Sequence, residues 1–455
     1  MKINKFTNRI AEIWDYPKPS KYDNEAISRE GYFEFLKEKP KSNDIRLYIH
    51  IPYCMSFCSF CQFFKEPYPK EKDKIYDYFE CVKAELEYYS KTKYFQESRI
   101  VSIFFGGGDP AIIPNQVFDS LMNCIYENFM VDEDISITIE GNVRNLLDYE
   151  KLNLYAKHKV TRISFGIQTF DEELRKKFLI KPTLEQIYRL TKMIKEYPSI
   201  NFAFDIIYNF PDQTNDILLN DIKMADSLNP EYIDFFSLNL YPNTRFYKDI
   251  YERGRYEIPP NKKIELEQNK LIQRQMSELG YRQVISSTYS KVRDLPNPGM
   301  YHFLCNRNTL GIGPSARSYL DGHAFRNICS IEEYCNLINS NEFPIDTGKI
   351  LSDLEIDHRA MVNYANLLKI PQKLVEKYED TFDTAKQLVE LGYLSKTNTD
   401  YIVTEEGKAW VGNIQKCFFS KEEAEKDMKN FLLAVKSGQS AYNQDYMLVQ
   451  TNREV

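Results

Sequence analysis

No apolar stretch in the 455 residues approaches the roughly 18 needed to cross a bilayer, so no membrane span is expected. Basic residues are not in surplus either: 59 Lys and Arg stand against 66 Asp and Glu, a formal net charge of −7. That balance argues against nucleic acid or an anionic membrane as partner. The first twenty residues, MKINKFTNRIAEIWDYPKPS, lack the basic segment and following apolar run of a secretory leader. The nine cysteines are odd in number and irregularly spaced, unlike a disulfide framework. The expectation is a cytoplasmic protein whose thiols stay reduced. Internal repeats and long linkers are missing as well. What the chain has in plenty is Tyr (33) and Phe (29), which suits flat, apolar ligands but also accompanies a sequence rich in Asn, Lys and Ile.

An alternation organises the first half. Short β-branched and aromatic runs at 44–51, 99–105, 135–140, 161–167, 201–208 and 232–240 are separated by stretches of helical period. Ile75, Phe79, Val82, Leu86 and Tyr89 mark one helix face, and Leu184, Ile187, Leu190 and Ile194 another. Six strand–helix units in succession predict an α/β fold with a parallel sheet, a partial (β/α)6 TIM-like barrel. Functional residues then belong at the C-terminal ends of the strands. After about residue 345 the pattern turns helical, and GYLSKTNTDYIVTEEGKAWV (392–411) reads as two short strands around a polar turn. The expected organisation is an N-terminal arm over 1–43, a barrel core over 44–260 and a barrel extension over 261–345. A C-terminal helical, winged-helix-like domain over 346–420 follows, and then a polar helix and tail over 421–455.

YIHIPYCMSFCSFCQFF (48–64) places Cys54, Cys58 and Cys61 directly after the first strand. Three thiolates on one short loop can converge on a single centre, and thiolates select zinc or iron–sulfur clusters. A structural zinc site takes a fourth Cys or His, but position 63 is Phe63, and His50, on the strand itself, reads as a packing residue. Three ligands point to a [4Fe–4S] cluster with one iron left open.

The cysteine stretch resembles the radical S-adenosylmethionine (SAM) superfamily, and within it the oxygen-independent coproporphyrinogen dehydrogenase-like branch. The likeness extends to FFGGGDP (104–110), ITIEGNV (137–143), RISFGIQTF (162–170), FAFDIIYNFPDQT (202–214) and NTLGIGPSARSYLDGHAFRN (308–327), and so covers most of 44–420. It implies that the open iron binds the amino and carboxylate groups of SAM, which the reduced cluster cleaves to methionine and a 5′-deoxyadenosyl radical. It also implies that Gly107, Gly108 and Asp109 line the methionine end of SAM. Glu140, Gln168, Asp205 and Tyr48 contact SAM, and Phe60 packs on its adenine. Asp109 stands where the family has Thr, and Ile180 where the branch often has Arg.

Three activities occur in the branch. Coproporphyrinogen dehydrogenases usually carry a fourth cysteine where this chain has Phe63, and heme chaperones are usually shorter. Length, CSFCQFFKEP and GKAWVGNIQ make the chain most similar to the anaerobilin synthases, class C radical SAM methyltransferases that bind two SAM molecules. That resemblance implies methylation of heme, opening of the porphyrin to a linear tetrapyrrole and release of iron without O₂, with electrons from a flavodoxin or flavin reductase. A heme-binding carrier, a coproporphyrinogen dehydrogenase and a methyltransferase acting on another sp2 carbon are the alternatives. His302, Cys305 and His323 are candidate heme contacts, and Phe303 a candidate wall of a second SAM pocket.

Overall fold

In the computed structural model, which describes residues 2–17, 27–71, 73–241, 244–251, 253–255 and 262–426, all six expected strands form. They are β1 (Asp44–Ile51), β2 (Arg99–Gly107), β3 (Met130–Glu140), β4 (Arg162–Gln168), β5 (Asn201–Tyr208) and β6 (Tyr232–Ser237). They pair in parallel in sequence order, and helices such as Asp73–Ser90, Leu184–Ile194 and Asn215–Ser227 connect them.

The sheet continues beyond these six. On one side β7 (Arg282–Gln283) and β8 (Thr288–Ser290) add antiparallel strands to β6. On the other, β9 (Thr309–Ile312) lies parallel to β1. β10 (Arg317–Leu320), β11 (His323–Asn327) and β12 (Ile345–Ile350) then follow antiparallel. The twelve-stranded order β12-β11-β10-β9-β1-β2-β3-β4-β5-β6-β8-β7 has two ends, so the barrel is partial, as expected.

Alternation along each strand sorts the two faces. Ile45, Leu47, Ile49, Ile103, Phe105, Ile137, Ile139, Ile163, Phe165, Phe204, Ile206 and Ile233 share one continuous core with the helices. Each such side chain contributes about 1.5–3 kcal/mol on full burial. The other phase of the same strands carries Arg46, Tyr48, Ser102, Thr138, Glu140, Arg162, Ser164, Asp205 and Asp234. A parallel sheet covered on both sides ordinarily reads as apolar throughout. The polar phase here faces the inside of the partial barrel, where a ligand and not a side-chain core would fill the space.

The C-terminal module packs helices Asp353–Asn366 and Glu379–Glu390 on a small sheet of β13 (Lys369–Pro371), β14 (Leu394–Lys396) and β15 (Asp400–Val403), ordered β13-β15-β14. Residues 2–17 belong with it. The amides of Ile10 and Ile13 donate to Asn413 Oδ1 (3.0 Å) and Gln415 Oε1 (2.8 Å), and Ile13 and Tyr16 enter the module's core beside Met361, Leu388 and Trp410. The segment expected as one arm over 1–43 thus divides, for the helix Arg29–Phe35 packs instead on the sheet edge. There the Tyr32 ring meets Phe325 at 4.8 Å and Phe343 at 4.9 Å. Strand β12 crosses the boundary drawn at 345, whereas the boundary at 260 and residues 427–455 of the expected tail lie outside the described residues. Among the described residues no helix is long and apolar enough to cross a membrane.

Candidate functional site

The loop after β1 leaves the sheet at Pro52 and turns back through Cys54, Cys58 and Cys61, all partly exposed. Its stem is fastened to the end of β2. The Gly108 amide donates to Ile51 O (2.7 Å) and the Asp109 amide to Tyr53 O (2.9 Å). Gly107 has φ +106°, and a Cβ there would lie 2.6 Å from the His50 ring. The two glycines therefore serve first to let β2 close on the cysteine loop. His50 is the packing residue the sequence implied. It is buried, with Nδ1 3.1 Å from the Tyr48 hydroxyl and Nε2 3.1 Å from Phe64 O, and burial lowers its pKa to about 4.

The three thiols sit within one another's electrostatic reach. Burial, then Asp109 and Cys61, push Cys54 up to about 12, while burial followed by Cys61 pushes Cys58 to about 11. Lys65 opposes both shifts, its ammonium held by the carbonyls of Cys61 (2.9 Å) and Phe63 (3.0 Å). Among the described residues no three His, Cys, Asp or Glu groups close on a single ion. Three soft thiolate donors on one loop fit an iron–sulfur cluster, in which each thiolate binds its own iron.

Asp109 is not free to meet a ligand with its side chain. It is buried as the cap of a short turn and accepts from the amides of Ala111 (3.2 Å) and Asn142 (2.9 Å) and from Asn145 Nδ2 (2.6 Å). This ties the end of β2 to the loop after β3.

Glu140, at the end of β3, receives the Gly107 amide and feels Arg162 and Arg46. Burial outweighs those three and pushes its carboxyl up to about 7. Asp205 is opposite Asp234 in the β5–β6 register. Burial, then Asp234 and Glu140, raise it well above the ordinary carboxylate range. Asp234 is raised by burial as well and accepts from the Thr288 hydroxyl. Tyr48 stacks with Phe104 at 6.0 Å and lies within reach of the Glu140 charge. The fold thus gathers Tyr48, Gly107, Glu140 and Asp205 around one lumen.

Gln168 ends β4 at φ +72°, and its buried Oε1 has no partner. The following turn is fixed by buried Asp221, which takes the Thr169 hydroxyl (2.9 Å) and the Phe170 amide (2.6 Å). The partly buried Phe60 ring contacts Phe210 edge-on at 6.2 Å, beside an apolar cluster that includes Phe178 and Leu240. Ile180, at the position of the absent Arg, is buried in that same cluster, and Lys181 is exposed.

Ser102 Oγ and Thr309 Oγ1, on the inward phase of β2 and β9, are likewise buried without partners. Buried polar atoms are nearly always satisfied, so this set fits a lumen that receives a polar ligand such as SAM. Arg46, Arg162 and Asp234 were missed at the sequence level. Their signal was the polar phase of strands whose apolar phase was read. The histidine candidates are occupied: His302 Nε2 is 2.8 Å from Asn308 O, and the His323 ring stacks on Phe35 at 3.8 Å. Cys305 hydrogen-bonds with Tyr301 and Tyr364.

The raised Glu140 carboxyl has a measurable consequence. An unfolded Glu titrates near 4.3, so from there to about pH 7 the folded chain holds a proton that the unfolded chain releases. Stability therefore falls as pH rises through that window. Glu140→Gln removes the loss. In urea unfolding of the metal-free protein, the variant is expected to gain about 1–2 kcal/mol more over wild type at pH 8 than at pH 5. A pH-independent difference would mean that Glu140 is not held protonated by burial.

Residues 48–225, which include the cysteine loop and β2 to β5, match the model of the radical SAM superfamily. Over most of its length the chain is similar to the heme chaperone HemW of Bacillus subtilis, at 26% identity across 79% of this chain and 95% of that one. It is also similar to the anaerobilin synthase of Escherichia coli O157:H7, at 22% identity across 84% and 85%. The solved coproporphyrinogen III oxidase of Escherichia coli, described as a radical SAM enzyme, shares the fold with a TM-score of 0.74. It is 19% identical and covers 90% of this chain and 99% of its own. Residues 48–225 thus carry the features of a radical SAM domain, and the chain as a whole is similar to heme chaperones, an anaerobilin synthase and an oxygen-independent coproporphyrinogen III oxidase.

Proposed function

We propose that this protein is a radical SAM C-methyltransferase that uses two SAM molecules to methylate heme, opening the macrocycle to a linear tetrapyrrole and releasing iron without O₂. The match of residues 48–225 to the radical SAM superfamily implies a [4Fe–4S] cluster and SAM. Cys54, Cys58 and Cys61 would hold this cluster, which when bound would supply the electron for reductive cleavage of one SAM to methionine and a 5′-deoxyadenosyl group. The second SAM gives up its methyl and leaves as S-adenosylhomocysteine.

The chain's own residues bind, orient and shield. Glu140 and Asp205 offer carboxylates to the ammonium or ribose hydroxyls of SAM, Gln168 offers an unpaired carbonyl, and Tyr48 closes the wall beside them. Helix Pro298–Leu304 lies between the barrel and the C-terminal helix Asp353–Asn366 and packs on both. A substrate beneath it is kept from water, as a radical reaction requires. Met55, Phe57 and Phe63 are exposed on the cysteine loop and offer an apolar approach to a flavodoxin or flavin reductase.

The observation that carries this reading is the buried polar phase of the strands, with Gln168 Oε1, Ser102 Oγ and Thr309 Oγ1 unpartnered, beneath the helix Pro298–Leu304 that bears Tyr301 and Phe303. Similarity to an anaerobilin synthase over 84% of the chain supports it. Similarity to a heme chaperone over 95% of that protein favours a second reading, a heme carrier. Anaerobic incubation of the reconstituted protein with SAM, reductant and heme separates the two. Loss of the Soret band, a methylated linear tetrapyrrole by mass spectrometry and near-stoichiometric S-adenosylhomocysteine are expected. A Soret band that shifts on binding but persists would establish the carrier.

A further inference from the structure

Among the described residues the buried Arg46 and Arg359 make no ion pair, although Glu140 lies within electrostatic reach of Arg46 and Asp15 within reach of Arg359. Arg46, on the inner face of β1, is 8% exposed, and no acceptor among the described residues reaches its guanidinium, whose buried Nε is partnerless. Its surroundings are rings: Phe104 at 5.2 Å, Phe303 at 5.5 Å and Tyr48 at 5.9 Å. Arg359, on the C-terminal helix Asp353–Asn366, is 6% exposed and stacks on Tyr319 at 3.9 Å. It donates one hydrogen bond to Asn306 Oδ1 and lies 6.0 Å from the same Phe303 ring.

Arg162 is in a similar state, with one hydrogen bond to Thr138 Oγ1 (3.3 Å) and the Tyr232 ring at 5.8 Å, and Lys151 donates to Ile113 O (2.8 Å); the other buried cations are compensated. Arg9 pairs with Glu265 and Glu12, Lys349 pairs with Glu355, and Arg175 is saturated by the carbonyls of Ile167, Thr169 and Pro182. A guanidinium cannot shed its proton to escape burial, and an uncompensated buried charge is costly. A buried pair kept in this condition from two distant segments, with aromatic faces between, is arranged for an anion that arrives with a flat apolar body.

We propose that Arg46 and Arg359 form a carboxylate-binding subsite around Phe303 that takes the propionate groups of the tetrapyrrole. This rests on the tetrapyrrole reading above. The subsite joins the barrel to the C-terminal module, so a bound macrocycle ties the two together. It also fixes the orientation of the ring, because the propionates of a heme lie on one edge. Arg317 stands at the margin of the subsite: it is half-exposed, ion-paired with Asp15, and within electrostatic reach of Tyr48. The carboxylate of a SAM molecule has the same chemistry, and the test must separate it.

Soret titrations with heme and with heme dimethyl ester, whose carboxylates are capped, are made on the wild-type protein, Arg46→Met and Arg359→Met, alongside SAM binding by equilibrium dialysis. Wild type is expected to bind heme about ten- to a hundredfold more tightly than the ester. Each variant is expected to lose that preference, bind the ester as wild type does and keep its affinity for SAM. Arg46→Met, which removes an uncompensated buried charge, is also expected to melt no lower than wild type, so weaker heme binding is not unfolding. Equal affinity of wild type for heme and ester overturns the subsite whatever the variants do. Loss of SAM affinity with heme affinity kept assigns the arginines to SAM and overturns it as well. Failure of wild type to bind either porphyrin overturns the tetrapyrrole reading itself, and the subsite with it.

Discussion

Alanine at Cys54, Cys58 or Cys61, one at a time, is expected to leave a folded protein that holds no iron–sulfur cluster and cleaves SAM only at background. The folded part of the expectation follows from placement. All three cysteines lie partly exposed on a loop outside the hydrophobic cores, where a substitution changes stability by about ±0.5 kcal/mol. The loss of function follows from the donor set. The chain has nine cysteines, but Cys81 and Cys124 are buried on helices, and Cys305 hydrogen-bonds with two tyrosines. No fourth thiol lies on the loop to replace a lost ligand. The loss should exceed the roughly 10- to 100-fold that mutation of an outer-shell partner costs a metal site. Iron and sulfide per chain after anaerobic reconstitution, with methionine and 5′-deoxyadenosine by mass spectrometry, check it. Cys81→Ala is the control and should retain both. Full iron content in any one of the loop variants would mean that this cysteine is not a ligand.

The barrel was legible because its information is local. Runs of β-branched and aromatic residues bounded β1 and β5 at the residues where the strands begin and end, 44–51 and 201–208. β3 was read short because its first residues, MVDED, carry charges that resemble a turn, yet the strand begins at Met130 and pairs with β2 there. The segment 308–327 is one of the stretches that carry the family likeness. It also builds β9, β10 and β11, which extend the sheet past β1, a role set by long-range pairing that no local pattern carries. The same holds for residues 2–17, whose partners are some 400 positions away.

Within the site, the three cysteines stand out by their spacing, whereas Glu140, Gln168 and Asp205 are singled out only by the family resemblance. The use of Asp109 as an internal cap was not legible, since it depends on Asn142 and Asn145 from the next loop. Arg46 could have been found. On a strand expected to be covered on both faces, the phase Asp44, Arg46, Tyr48, His50 is polar throughout, which is the mark of a lumen and not of a core. Arg359 left no such mark, because its meeting with Phe303 exists only once the C-terminal helix has docked.

Gly108→Ala is expected to cost about 2–4 kcal/mol of stability and to strip most of the iron from the reconstituted protein. A Cβ at this position would lie 2.6 Å from Tyr53 O and 2.8 Å from Ile51 O. Both obstacles are backbone, so no rotamer change relieves them. The strand end and the loop stem must part, and with them go the Gly108–Ile51 and Asp109–Tyr53 hydrogen bonds that hold the chain immediately before Cys54. Overpacking of this kind costs about 1–3 kcal/mol, and each hydrogen bond about 0.5–1.5. Gly280→Ala separates this effect from a general intolerance of losing a glycine. Gly280 has φ +85° with nothing within 4 Å of its Cβ position, so that substitution bears only the left-handed backbone cost of about 1–2 kcal/mol and should keep its iron. Urea unfolding and iron content of the two variants, measured together, read the outcome. If Gly108→Ala matched Gly280→Ala in both, the close fit of β2 against the cysteine loop would not be what sets the geometry of the three thiols.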